Sequence, residues 1–354
     1  MDIRTGQGSV KLSRQEFERR LRERFYDPAF DEIEPALEQV IEQAWDAYTK
    51  YRKSPRTRRA GDGFADPNHE LPIEWLETRA QIERATQSQA DPAAPTRILL
   101  IGGAARHDQT CPGEMSKTFR LCQIARRSFE AHQDLEVDFL DLALLTAEYG
   151  RFILPCKACV STAMPLCHWP CSCYPNHAMG QVQDWMNEIY PRWVAAHGIM
   201  IVTPVYWYQA PSVLKLMIDR LVCADGGNPD PTTTHGKNVA EAKQLELNGW
   251  PYPRHLAGRV FSVVVHGDAD GVENLRTVLR DWLTDLRLVP AQDGGALGRY
   301  IDYYGSYATS HAALDRDVDV QREVHNEAQR LVHTVLQVRA GQCQPQEIDE
   351  PRPK

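Results

Sequence analysis

The chain has 354 residues, 42% hydrophobic and 25% charged, with a formal net charge of −8. A net-acidic chain lacks the basic face that phosphate-backbone recognition needs, which argues against nucleic-acid binding. No apolar run approaches the roughly 18–20 residues of a membrane helix, and the first residues carry no apolar signal region. The expectation is therefore a cytoplasmic protein that does not engage a membrane.

Residues 1–95 read as a helical arm and linker. Ser13 and Glu16 make a capping box ahead of Phe17, Leu21 and Phe25. Ile33, Leu37, Val40, Ile41, Ala44 and Tyr48 form a second apolar stripe at helical spacing. The Arg-, Gly- and Pro-rich stretch 53–67 reads as a loop, and its basic residues as a solvated linker. Pro72 opens a third helix through Trp75 and Ile82, and 87–95 is a linker. No chemistry is visible here, and the arm is expected to pack on the core or on a neighbouring subunit.

From residue 96 to 340 the pattern changes to alternating strands and helices, the signature of a doubly wound parallel α/β sheet of five strands. The apolar run 97–103 is the first strand. The loop 102–113 follows, then a helix with Met115, Phe119, Cys122, Ala125 and Phe129 on one face. The run 135–140 is a second strand, 155–177 a cysteine-bearing loop, and 178–196 a helix. The run 199–203 is a strand buried on both faces, which Pro204 stops. Val205, Tyr206, Trp207, Tyr208 and Gln209 then form an aromatic loop at its carboxyl end. Pro211 opens a helix with Leu214, Met217, Ile218 and Leu221 on one face. A long insertion, 223–257, reads as a lid or subunit contact. The run 259–265 is another buried strand ending in His266, Gly267 and Asp268. After a helix carrying Val278, Leu279, Trp282 and Leu286 comes a last short strand at 286–290. An aromatic stretch, 298–311, is placed to cover the site or a subunit face. Val324, Ala328, Leu331, Val332 and Val335 mark a final helix, and 341–354 is a polar tail.

Thr203-Pro-Val-Tyr-Trp207, followed by Leu-Lys-x-x-Ile-Asp-Arg through Arg220, resembles the flavin loop and next helix of the flavodoxin-like NAD(P)H-dependent FMN reductases. That resemblance covers residues 97–340. It implies a flavodoxin-like fold and bound FMN, with Pro204, Val205, Tyr206, Trp207 and Tyr208 against the flavin ring. It also implies that the loop after the first strand holds the FMN phosphate, where Arg106, Ser116, Lys117 and Thr118 supply donors at a helix N-terminus. The chain has Gly-Ala-Ala-Arg and a longer path to Ser116 where the family has Gly-Ser-x-Arg and Asn-Thr. His266, Gly267 and Asp268 would lie near flavin N1 and O2. There a protonated His266 would stabilise the charge that develops on reduction. The Gly-x-Gly-x-x-Gly pattern of dinucleotide folds is absent.

Five of nine cysteines lie between Cys156 and Cys173. Cys156 and Cys159 make a Cys-x-x-Cys, with Cys167, Cys171 and Cys173 beyond. Such clustering favours metal or redox chemistry over a disulfide framework. The iron–sulfur branch of the resembled family carries a 4Fe-4S cluster at this place, though its compact motif is broken here by Thr162. Zinc, with His168 and His177 nearby, and a thiol redox pair are the alternatives.

The expected activity is hydride transfer from NAD(P)H through FMN to a small acceptor such as a quinone, an azo or nitro compound, or a metal. The protein would be a homodimer or homotetramer, and no protein nucleophile is required. The alternative is an FMN protein, with or without an iron–sulfur cluster, that passes electrons between protein partners.

Overall fold

The computed structural model describes residues 3–50, 56–145, 151–159, 164–173 and 184–343. Ser13 caps helix α1 (Arg14–Arg22), its hydroxyl accepting from the Glu16 N–H. A 3-10 turn, Pro28–Ile33, leads into α2 (Glu34–Thr49). Phe17 and Tyr48 join the two helices in a small core of their own. Strand β1 (Thr57–Arg59) then pairs antiparallel with β2 (Glu70–Pro72), inside and just after a stretch that reads as loop in the sequence. Gly61 and Gly63, both at positive φ, let the intervening chain turn back. Helix α3 (Ile73–Ala90) follows.

The main domain begins with β3 (Thr96–Gly102) and α4 (Lys117–Glu130). Next come β4 (Leu135–Asp141), the short α5 (Leu142–Leu145) and α6 (Met186–Ala195). The helix expected over 178–196 is thus seen from Met186, its first part lying outside the described residues. Strand β5 (Gly198–Pro204) leads to α7 (Ser212–Arg220). The insertion holds a helix that polar composition concealed, α8 (Val239–Leu247), capped by Asn238. Strand β6 (Val260–Gly267) and α9 (Val272–Asp285) complete the alternation. Then β7 (Val289–Pro290), β8 (Ala296–Tyr300), α10 (Tyr307–Arg316) and α11 (Val318–Arg339) close the chain. The strand expected at 286–290 is therefore only half of an edge: β7 pairs with the start of β6 and β8 with its end. A 3-10 turn at Gln292–Gly294 separates the halves.

Every pairing in this sheet is parallel, in the order β4-β3-β5-β6, with β7 and β8 sharing the fifth position. This is the doubly wound order 2-1-3-4-5 of the flavodoxin-like fold. Because side chains alternate along a strand, each strand feeds two cores. Ile98, Leu100, Met200 and Val264 face α4 and α11. Leu99, Ile101, Ile199 and Val263 face α6, α7 and α9. Helix α3 packs along α6, and its Ile82, fully buried, belongs to this second core. Arg339 of α11 also grips the linker, donating to the carbonyls of Asp91, Pro92 and Ala94 and to Thr96 Oγ1 at 2.6 Å. Among the described residues no helix is long and apolar enough to cross a membrane.

His255 joins several of these elements. Its ring stacks on Trp169 at 4.2 Å, Nδ1 bonds the Tyr190 hydroxyl and Nε2 the Thr86 hydroxyl. Burial pushes its pKa down to about 4, and His197, tied to the Arg97 N–H and the Gln89 carbonyl, is likewise pushed to about 4.

Two predictions follow from this packing. Replacing Ile82→Ala removes a fully buried side chain from the sheet core and is expected to lower the urea unfolding free energy by about 2–5 kcal/mol. An arm helix that merely lay on the surface would cost little. Both histidines are neutral in the fold and titrate near 6.5 when unfolded, so the unfolded chain takes up protons first as pH falls. Their contribution to stability is constant above about pH 6.5, is lost between about 6.5 and about 4, and then levels off. At ~1.4 kcal/mol per pKa unit the loss is roughly 3 kcal/mol for each histidine. Urea midpoints measured from pH 7.5 to 4.5 should show this slope, and His255→Gln should flatten it.

Candidate functional site

The strand β5 runs out at Pro204, and the chain then folds into a hairpin closed by two 2.9 Å bonds between Tyr206 and Gln209. Its corners are Trp207 at φ 46° and Tyr208 at φ 65°, both in the left-handed region. Positive φ at both corners is the sign pattern of a type I′ turn, which Asn-Gly fills without strain. Two aromatic residues there store strain of the kind that clusters at functional sites. The turn is seated on the β6–α9 loop: the Val205 N–H donates to the His266 carbonyl, and a Cβ at Gly271 would meet Tyr208 Cα at 2.9 Å. Gly271 also sits at φ +113°, so glycine is required there twice over.

At the carboxyl ends of β3, β5 and β6 this turn borders a cavity of about 440 Å³, within the ~300–1,000 Å³ usual for ligand sites. Arg106, Ser116, Lys117, Thr118, Pro204, Val205, Tyr206, His266, Gly267 and Asp268 all line it. Trp207 and Tyr208 do not: Trp207 is 94% exposed and points away from the cavity lining, because they occupy the turn's outer corners. The opposite wall comes from Tyr304, Gly305, Tyr307, Ser310 and His311. The aromatic stretch 298–311 was the sequence signal for that wall, although its individual residues were not legible. Tyr307 bonds Glu114, and Arg106 lies 5.9 Å from the Tyr307 ring centre, so this wall is tied to the loop after β3.

Helix α4 aims its N-terminus into the cavity. Ser116 is its N-cap, accepting from the Phe119 N–H at 3.1 Å, and Lys117 and Thr118 occupy the first turn. A helix N-terminus presents bare N–H groups and partial positive charge, which suit a phosphate. Lys117 Nζ lies 3.4 Å from Asp268, so the carboxylate expected near the flavin ring is paired. His266 is 3% exposed, with Nε2 2.9 Å from Thr118 Oγ1 and with a buried Nδ1 that has no partner. Burial, and then the charge of Lys117, push its pKa down to about 3. A protonated His266 stabilising a reduced flavin is therefore not what this environment supports. Its neutral ring can donate or accept a hydrogen bond instead. Arg106 Nε is a second buried polar atom without a partner. Unsatisfied polar atoms around a cavity of this size, beside a helix N-terminus, fit an FMN phosphate and its polar chain.

Asp219 and Arg220, from the sequence motif, lie elsewhere. Asp219 pairs with Lys215 on the surface at 2.5 Å. Arg220 is buried and bonds the Leu154 carbonyl and Asp184. Both are structural, as their helical positions imply.

Cys156, Cys159, Cys167, Cys171 and Cys173 do converge, with Cys223 and Arg220, around a small second cavity. Yet among the described residues no group of three or more His, Cys, Asp or Glu is arranged to hold a metal ion. The expected cluster or zinc thus finds no support. Cys159 Sγ is instead 3.5 Å from Cys173 Sγ, and His168 Nδ1 is engaged by Ser172 at 2.5 Å. Burial raises the Cys167 thiol and pushes Cys223 up to about 12, whereas the Cys173 hydrogen bond lowers Cys159. Thr162 and His177 lie outside the described residues.

Comparison with known proteins bears on the cavity. No curated protein matches the chain. Among solved structures, RosB with a bound 8-demethyl-8-formylriboflavin-5'-phosphate intermediate has 13% identity and a TM-score of 0.47. That match covers 70% of this chain and 82% of the other. A flavone reductase has 18% identity and a TM-score of 0.40, over 70% and 66%. An azoreductase from Bacillus anthracis str. Sterne has 14% and 0.37, over 66% and 98%. At TM-scores below 0.5 these likenesses carry no argument. The family model described as NADPH-dependent FMN reductase, however, matches residues 96–300, more than half of the chain and all the strands around the cavity. The chain belongs to the NADPH-dependent FMN reductase family, and is an NAD(P)H-dependent, FMN-using oxidoreductase.

Proposed function

We propose that the cavity at the carboxyl ends of β3, β5 and β6 is the FMN site and that a planar aromatic small molecule, such as a quinone or an azo or nitro compound, is the acceptor. The observation that carries this reading is the meeting of a helix N-terminus, two cationic side chains and aromatic walls in one cavity. The chemistry that FMN supplies is two-electron transfer between a nicotinamide hydride and the acceptor.

The chain's own residues bind and orient. Arg106 and Lys117 hold the phosphate at the positive end of α4, with Ser116 and Thr118 hydroxyls beside it. Pro204, Val205 and Tyr206 form one wall for the ring, and the Gly267–Asp268 backbone its polar edge. The neutral His266 fixes Thr118 and leaves Nδ1 for a ligand atom. Tyr304 and Tyr307 offer rings on which a planar acceptor or nicotinamide can stack. Trp207 and Tyr208, exposed at the turn, are placed for a subunit contact rather than the flavin. That placement agrees with a homodimer or homotetramer. None of the nine cysteines is in a disulfide, which suits a cytoplasmic setting.

Anaerobic spectra of the FMN-loaded protein test the reading. NADPH alone should bleach the flavin bands rapidly, whereas a carrier between protein partners would wait for its partner. Lys117→Ala and Arg106→Ala should each weaken FMN binding about tenfold, or ~1.4 kcal/mol, measured by fluorescence titration. Riboflavin, which lacks the phosphate, should bind both variants as it binds the parent. Equal losses for the two flavins would place the phosphate elsewhere. The turn makes a separate prediction. Trp207→Asn with Tyr208→Gly should raise unfolding stability by roughly 1–2 kcal/mol while FMN affinity holds, because Tyr206 remains on the cavity wall.

A further inference from the structure

The cavity lined by cysteines shares no residue with the FMN cavity, and the function above leaves its thiols unused. Sequence spacing pairs Cys156 with Cys159, but the fold does not. Cys156 Sγ accepts from the Ala158 N–H at 3.3 Å, while Cys159 Sγ lies 3.5 Å from Cys173 Sγ. Lys237, from the insertion, brings its Nζ to 3.7 Å from Cys173 Sγ. The Cys173 hydrogen bond first, and this cation after it, lower the Cys159 thiol, which favours attack by the Cys159 sulfur. Among the described residues from Cys156 to Cys173 there is no strand and no α-helix: Cys159 and Met164–Leu166 are in 3-10 conformation and His168 bridges to Asn228, so the short approach of the two sulfurs breaks no strand ladder. Cys159 is half-buried and Cys173 buried, which separates a sulfur that a small oxidant can reach from one that answers from within. A neighbouring open cleft, lined by Ala158, Ile218, Asp219 and Trp282, shares Cys156 and Val222 with the thiol cavity and gives a route to it.

We propose that Cys159 and Cys173 are a reversible dithiol–disulfide pair, oxidised by a hydroperoxide and restored by a dithiol. The Cys159 thiolate attacks the O–O bond, forming a sulfenic acid as hydroxide leaves and takes up a proton. The Cys173 sulfur then attacks that sulfur, the S–S bond forms, and the sulfenic oxygen departs as water with the Cys173 proton. With hydrogen peroxide, two thiols lose two electrons and two protons, and the peroxide becomes two waters. A dithiol reverses the change by thiol–disulfide exchange, its own two sulfurs ending as a disulfide. The closed form ties the cysteine loop across residues 159–173.

The test uses the full-length, FMN-loaded protein, with iron and zinc first assayed as purified. One equivalent of hydrogen peroxide should lower the intact mass by two hydrogens. Peptide mapping should then find Cys159 joined to Cys173, and dithiothreitol should restore the mass. Cys159→Ser and Cys173→Ser should each lose the mass change, whereas Cys156→Ser should keep it. A disulfide between Cys156 and Cys159 or any other pair would overturn the proposal. So would sulfinic acid without a disulfide, or iron or zinc held stoichiometrically by these thiols. FMN binding is read separately by its spectrum, so failure of the flavin reading and failure of the thiol reading are distinguishable.

Discussion

The structure around the cavity depends on how the chain leaves β5. That strand is buried on both faces between β3 and β6, so its backbone must stay paired to its last residue and then escape without unsatisfied groups. Pro204 removes one donor, the Val205 N–H finds the His266 carbonyl on the next strand, and the Tyr206–Gln209 turn satisfies the rest internally. The turn is thus locked to the end of β6. Asn274 adds a 3.4 Å bond to the Tyr208 carbonyl, and Gly271 supplies the space. Two strand ends and one helix start are held as a unit, and α4 joins them through Thr118 and His266. A binding site between strands needs this rigidity, because both walls must keep their spacing while ligands come and go.

Electrostatics reinforce the arrangement. A cavity that concentrates Arg106, Lys117 and a helix N-terminus would push any nearby imidazole toward its neutral form, and His266 is also buried. The positive potential stays with Arg106, Lys117 and the start of α4. Asp268 meanwhile neutralises part of Lys117 without entering the buried region. His266 therefore contributes its shape and hydrogen bonds to the cavity rather than a charge.

The parallel sheet was legible because long apolar runs admit one reading. The runs at 97–103, 199–203 and 259–265 are too short for buried helices among these neighbours and too apolar for surface loops. Ten of the twelve residues expected at the cofactor line the cavity: they sit at strand ends, in the loops that follow β3, β5 and β6, or at the start of α4. Trp207 and Tyr208 lie at the corners of the turn and off the cavity lining, which composition does not reveal. An aromatic pair at positive φ looks in sequence like a ring-stacking pair. The split edge strand was missed because its second half is only five residues without a clear alternation, set off from β7 by the turn at Gln292–Gly294. The charge state of His266 was illegible because it depends on burial by residues more than a hundred positions away.

The arm is where sequence said least and packing says most. Trp75 of α3 donates its indole N–H to the Pro170 carbonyl at 2.8 Å, within the cysteine-bearing loop. The hairpin that precedes α3 binds the insertion, with the Ala65 N–H on Asp230 and the Asp66 N–H on Thr232. The insertion in turn holds the loop: Asn228 bonds the Pro165 carbonyl, and Trp169 and His168 pair with its backbone. His255 closes the circuit by stacking on Trp169 and bonding Thr86 of α3. Three segments that interrupt or precede the flavodoxin-like alternation therefore pack on one another and not around the flavin. Each lacks the apolar content to fold alone, which explains why none announced itself as a domain. Together they set the position of Cys159 and Cys173 as surely as the sheet sets that of Tyr206.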